Sequence, residues 1–292
     1  MTDTLIKAIS KSGTIRAFAA ITTNTVNSAY EIQKPATLSG IILGNTLTAA
    51  LLCGATLKGS GERISLTYKG NGVIGKAMAE ATANGKVRGY AANPQSEFCE
   101  DVDVKTQINE AIGKNSQLTV CKDLGLKQPY SGTINCVTGD IGSDVAYYFT
   151  QSEQIPSAVA VSTIPNNDNS GVEISGGYLV QKIAQNEKIN ANETTELEKI
   201  SLATSAFSLN STLLEKKNPE DLLKNIFSDV EYEVLDSVNL SFECACDKEN
   251  LLNALNLFDD ETKKEIKRTD DKIQIICEFC KKIYYILPQE VR

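Results

Sequence analysis

Residues 36–57 read ATLSGIILGNTLTAALLCGATL, and with Pro35 in front they leave no charged side chain between Lys34 and Lys58. A stretch of this length is able to cross a bilayer. However, Thr37, Ser39, Asn45, Thr46, Thr48 and Thr56 interrupt it at intervals, and no aromatic residue marks either end. The pattern therefore predicts a long buried central helix of a protein core, with Pro35 near its first turn, rather than a membrane span.

Working outward, residues 1–34 read as a short helix followed by the strand TIRAFAAITT, whose alternation suits a half-buried sheet. After the long helix, Lys58-Gly59-Ser60-Gly61 is a turn and RISLTYKG is strand-like. Gly70-Asn71-Gly72-Val73-Ile74-Gly75 then spells G-x-G-x-x-G behind a strand. A dinucleotide site needs that pattern to open a helix and to be followed by a ribose-binding acid. Here Asn84-Gly85, a hairpin signal, and Asn93-Pro94 follow instead, so these glycines read as turn and bulge residues. Farther along, SQLTVCKDL, SGTINCV, SAVAVSTI and VEISGGYLVQKI are strands, with a helix expected at 143–150 and the loop PNNDNSG between the last two strands. Many strands and few helices indicate an α+β core domain with mixed or antiparallel sheets over residues 1–183.

From residue 184 to 235 the texture becomes polar and helical in spacing, and acids outnumber bases. Asn218-Pro219-Glu220-Asp221 is a helix start, with a capping side chain, a first-turn proline and acids facing the macrodipole. Leu222, Leu223, Ile226 and Phe227 form its apolar face. Helices this short depend on docking, which makes the segment either a solvated connector or a metastable linker poised to unfold.

Residues 236–292 form a third, small domain carrying Cys244-x-Cys246 and Cys277-x-x-Cys280, with ENLLNALNLF as a helix between them and strands on either side. Two such hooks can close tetrahedrally on one soft ion, and the chain has no histidine, so the ligand set is four thiolates. Lys281 and Lys282 are placed to offset its charge and to help hold the thiolates deprotonated. Four protein ligands leave no open position for hydrolytic chemistry. Either a structural or a redox-sensitive zinc fits, since bound thiolates can be oxidised with loss of the ion, and an iron centre also fits four cysteines. Cys53, Cys99, Cys121 and Cys136 have no hook partner and read as small buried hydrophobes.

Composition narrows the partners. A formal net charge of -8 and a sequence pI of about 4.9 disfavour nucleic acid and anionic membranes. The first residues, MTDTLIKAIS, do not resemble a secretory signal, so a cytoplasmic, reducing location is expected.

The chain resembles the redox-regulated thirty-three-kilodalton chaperonin family of bacteria over essentially its full length. The resemblance lies in both cysteine hooks and in Ala55-Thr56-Leu57-Lys58, Gly70 to Gly75, Gly139-Asp140, Ser152-Glu153-Gln154-Ile155-Pro156 and Gly176-Gly177. It implies a non-enzymatic, ATP-independent holdase that holds one Zn²⁺ per chain on Cys244, Cys246, Cys277 and Cys280 when reduced, and is then inactive. It further implies that oxidation forms Cys244–Cys246 and Cys277–Cys280 disulfides, releases zinc, unfolds the linker, and yields a homodimer that binds unfolding client proteins. Two other classes remain open: a thiol oxidoreductase and a constitutive zinc-stabilised interaction module.

Overall fold

A computed structural model describes residues 2–97, 103–183, 191–216, 218–268 and 272–291, without the side chains of 191–195, 216 and 267. Cys99 and residues 184–190 of the expected linker lie outside the described residues. The chain divides into two compact units, Met1–Phe242 and Glu243–Arg292.

The first unit is built around the helix that residues 36–57 predict. Two strands, β1 (Thr4–Ser10) and β2 (Ile15–Ile21), and a helix, α1 (Thr23–Gln33), precede it, and α2 (Thr37–Gly54) is the helix itself. Every residue of α2 is buried. Several of the polar side chains that argue against a membrane span are hydrogen-bonded inside the protein, while Asn45 Oδ1 is buried without a partner. Thr46 donates to the Ile42 carbonyl at 2.7 Å, while Thr48 lies 2.7 Å from the Thr22 hydroxyl and 3.2 Å from that of Ser175. Ser39 accepts from the Ser96 amide at 2.9 Å. Gly40 and Gly44 allow the close approach: a Cβ on Gly40 would lie 1.9 Å from the Tyr30 hydroxyl, and one on Gly44 2.5 Å from that of Thr163.

After α2 come β3 (Arg63–Lys69), β4 (Lys76–Thr82), β5 (Lys86–Ala91), α3 (Val104–Ile112), β6 (Gln117–Asp123), β7 (Tyr130–Asn135), α4 (Ile141–Ser152), β8 (Ser157–Pro165) and β9 (Val172–Lys182). Three helices follow, α5 (Ala191–Ala206), α6 (Leu209–Lys216) and α7 (Pro219–Phe227), and then β10 (Tyr232–Asn239) and β11 (Ser241–Phe242). One sheet has the order β10-β1-β2-β9-β8 and the other β11-β5-β4-β3-β6-β7; the β11–β5 pair is parallel and the others antiparallel. Helix α2 packs on β3, β4 and β5 of one sheet and on β2, β8 and β9 of the other, so both sheets share one apolar core.

The G-x-G-x-x-G stretch closes the β3–β4 hairpin, with the Gly70 amide donating to Gly75 O at 3.1 Å and Gly75 at φ +66. A strand follows it, as the turn reading requires. Several local expectations fail, among them the order helix then strand over residues 1–34, which is two strands followed by α1. The short helix expected at the N-terminus is strand β1: pairing with β2 on one side and β10 on the other satisfies its backbone and overrides a weak local preference. Helix α3 was not foreseen in the stretch read as strands and turns. Asp103 caps it by accepting from the Thr106 amide, and Ile108, Ala111 and Ile112 are its buried face.

The outer face of the five-stranded sheet carries Ile6, Ala8, Ile15, Ala17, Ala19, Ile174, Tyr178 and Val180, and α5–α7 cover it. Asn218 caps α7 as expected, and Leu222, Leu223, Ile226 and Phe227 are all buried against that sheet. Phe227 stacks on Tyr232 at a centroid distance of 4.5 Å. The expected boundary at residue 236 falls inside β10, which pairs with β1 and so belongs to the first unit.

The second unit holds α8 (Lys248–Leu255), α9 (Asp260–Lys267) and a hairpin of β12 (Ile273–Ile276) and β13 (Ile283–Ile286). Asp247 and Asp259 cap the two helices. Helix α9 is not among the sequence expectations, because its strongly polar composition gives little apolar periodicity.

Truncating Phe227 tests whether α7 is an integral cover. Phe227→Ala is expected to lose about 3–5 kcal/mol of stability, read by chemical denaturation of the first unit's transition.

Candidate metal centre

All four hook cysteines lie in the second unit. Cys244 and Cys246 precede α8, whereas Cys277 and Cys280 lie in the turn between β12 and β13. Backbone bonds shape that turn: the Cys277 amide donates to Lys282 O at 3.0 Å and the Lys281 amide donates to Cys277 O at 2.8 Å. Lys281 takes a left-handed φ of 56 to close it.

The chain brings the two hooks face to face. The four sulfurs lie within 4.8 Å of one another, with Cys244 and Cys277 at 3.8 Å and Cys246 and Cys280 at 3.3 Å. A tetrahedron of sulfurs bound at 2.3 Å has edges of about 3.8 Å, so the cluster fits one tetrahedral ion after small adjustment. The donor set, soft and anionic when ionised, suits a soft divalent metal. Cys277 is buried and the other three are half-buried.

Tyr284 is a further member of the site that spacing alone did not reveal. Its hydroxyl donates to the Cys246 carbonyl at 2.8 Å and lies 3.1 Å from the Cys246 sulfur. Without an ion the thiols hold their protons unequally. Burial acts to raise Cys246, but its contacts with the Tyr284 hydroxyl and the other three thiols outweigh it and bring it to about 7. Cys280 is pushed up to about 12 by burial and by its hydrogen bonds to the other thiols. The Cys246 contact also raises the Tyr284 phenol.

The lysines expected to face the thiolates make other contacts. Lys281 Nζ donates to Glu278 at 2.8 Å, and Lys282 Nζ lies 5.1 Å from the centre of the Tyr284 ring. Their backbone groups shape the site more directly than their charges do.

The remaining described cysteines lie in the first unit. Cys53 is buried in α2, and burial pushes its thiol up to about 12. Cys136 is half-buried, and burial followed by the nearby Asp144 carboxylate takes it to about 12. Cys121 is half-buried in β6. High proton affinity makes Cys53 and Cys136 poor nucleophiles.

A sequence model of the Hsp33 protein family matches residues 3–286. The chain belongs to the Hsp33 family. A 33 kDa chaperonin of Clostridioides difficile is 34% identical over 291 residues, covering 100% of this chain and 98% of the relative. One from Lactococcus lactis subsp. cremoris is 36% identical over 293 residues, covering 99% and 98%. The crystal structure of the 33 kDa chaperonin of Thermotoga maritima superposes with a TM-score of 0.85 at 29% identity, covering 100% of this chain and 97% of that one. The α+β architecture with a small cysteine-bearing module is therefore an Hsp33 fold.

A metal held by the four thiols has to displace their protons. Acid therefore competes with the metal, and apparent affinity is expected to fall by about tenfold or more per pH unit from 8 to 6. Competition titration against a chromophoric chelator measures this. Cys277→Ser should remove stoichiometric binding at every pH in that range.

Proposed function

We propose that this chain is a redox-regulated, ATP-independent holdase chaperone of the cytoplasm that protects unfolding proteins from aggregation. Membership of a family whose members are named chaperonins supports the chaperone role. The observation that carries the regulatory part is the four-sulfur cluster in a module with very little core of its own. Among the described residues, Leu255, Ile286 and Val291 form its buried apolar cluster, with Leu251, Leu252, Ile266, Ile273 and Ile275 packed partly against them.

The energetics favour a metal-dependent module. A structural zinc contributes on the order of 10 kcal/mol to folding. A disulfide across one or two residues closes so small a loop that it constrains the unfolded chain only modestly. Exchanging zinc on Cys244, Cys246, Cys277 and Cys280 for Cys244–Cys246 and Cys277–Cys280 disulfides therefore removes most of what holds the module folded.

The first unit supplies the surface this reading needs. Beneath α5–α7 lies an apolar sheet face, and two of the three covering helices are short. When the module unfolds, loss of structure in residues 184–235 exposes that face to apolar clients, and the oxidised protein dimerises. The reduced, zinc-bound form keeps the face covered and is inactive.

Reduced protein is expected to carry one zinc per chain and to leave client aggregation unchanged, whereas peroxide with mild heat releases the zinc and brings aggregation suppression. Zinc release and light scattering followed on one sample test both parts. Equal suppression by wild type and by the Cys277→Ser, Cys280→Ser variant under every redox condition would end the switch reading. Catalytic turnover in an insulin-reduction assay would favour a thiol oxidoreductase instead.

A further inference from the structure

The turn between β1 and β2 contacts the segment that carries the helical cover at three places, before, within and after its helices. Where the chain leaves β9, the Ile183 amide donates to Thr14 O at 2.7 Å. Where it returns after α7, the Lys11 amide donates to Glu231 O at 2.9 Å, and Lys11 Nζ meets the Glu231 carboxylate at 2.8 Å. Between these two stems, Glu196 of α5 accepts hydrogen bonds from the Ser12 hydroxyl at 2.5 Å and the Thr14 hydroxyl at 3.1 Å. The departing stem, the returning stem and the first helix of the cover are thus all fastened to residues 11–14.

The hydroxyls that hold Glu196 are themselves ordered. Ser10 lies 2.8 Å from Ser12, which lies 2.9 Å from Thr14, and the Ser10 oxygen accepts from the Ile15 amide at 3.2 Å. Ser10 and Thr14 are buried. A carboxylate entering this row finds donors already in place and gives up little further entropy to be bound.

Helix α5 depends on such a contact more than α7 does. From Glu196 to Ala206 its one buried side chain is Ile200, while Leu197 is 38% exposed and Leu202 72% exposed. Helix α7, by contrast, buries four large apolar side chains. Helix α5 lies beside α7 and over residues 196–206 buries only Ile200 among its large apolar side chains, so the Glu196 contact is a substantial part of its attachment to the sheet.

We propose that the β1–β2 turn is a clasp for the helical cover and that Glu196 is its releasable part, the positioning residue that sets how readily α5 leaves the sheet. The stems are fixed by backbone bonds at Ile183 and by the strand that begins at Tyr232, so freeing Glu196 opens α5 without dismantling the core. The functional consequence rests on the reading of residues 184–235 as the element that unfolds in the switch. The clasp itself does not.

The test uses full-length, reduced, zinc-loaded protein and amide hydrogen exchange. Glu196→Ala and Ser12→Ala/Thr14→Val are each expected to speed exchange in α5 by roughly 10- to 100-fold, with zinc content unchanged. Combining them should add little, because both remove one interaction. Ser12→Ala alone keeps the test sound if the Thr14 change disturbs the turn, and Glu198→Ala on the exposed side of α5 should match wild type. Wild-type exchange in Glu196→Ala, or full additivity in the combined variant, overturns the clasp. Faster α5 exchange together with client suppression by the reduced variant supports both the clasp and the switch. Faster exchange with wild-type client handling in both redox states supports the clasp and counts against the covered face as the client surface.

Discussion

A helix that is apolar on every side is stable in water only if every side is covered, and α2 imposes that condition on the whole first unit. One sheet cannot enclose it. Two sheets lie against it, and the hydroxyls of Thr22, Thr48, Thr163 and Ser175 join the helix to its surroundings where apolar contact alone would leave the register undefined. Gly40 and Gly44 let Tyr30 and Thr163 approach closely enough for that packing.

Enclosing α2 uses one face of the five-stranded sheet and leaves the other to be covered by something else. The residues on that second face are apolar, and the chain returns after β9 with one longer and two short helices that cover it unequally. Helix α7 buries four large apolar side chains, whereas from Glu196 onward α5 buries one isoleucine, packs beside α7 and places a carboxylate on a hydroxyl row. A cover firmly fixed at its stems and loosely fixed along α5 opens locally at a cost well below global unfolding. Under the proposed function that inequality is useful, because an apolar client surface must stay hidden until it is needed.

The second unit faces the opposite problem, too little apolar material to fold securely without help. Under the proposed function its sulfur cluster meets that need by holding a metal, which ties the fold to the state of four thiols. The Tyr284 hydroxyl on Cys246 and the backbone bonds around Cys277 shape the pocket for the sulfurs, so the strand-and-turn geometry of the module and its chemistry are one arrangement.

Legible in the sequence are α2, the hairpin role of Gly70 to Gly75, the Asn218–Pro219 helix start and the two cysteine hooks that the fold brings together. Each is a local signal: an uncharged run, a glycine spacing, a capping pair, two thiol hooks. Only the tertiary structure decided that residues 4–10 form a strand, since β1 owes its conformation to partners at 15–21 and 232–239. Likewise β10 belongs to the core because of its pairing with β1, a contact between residues more than two hundred positions apart. Tyr284 and Glu196 are invisible to motif reading for the same physical reason: the atoms they bind, at Cys246 and at Ser12 and Thr14, become neighbours only when distant segments pack. Sequence spacing names the groups able to act, and the folded chain determines which of them meet.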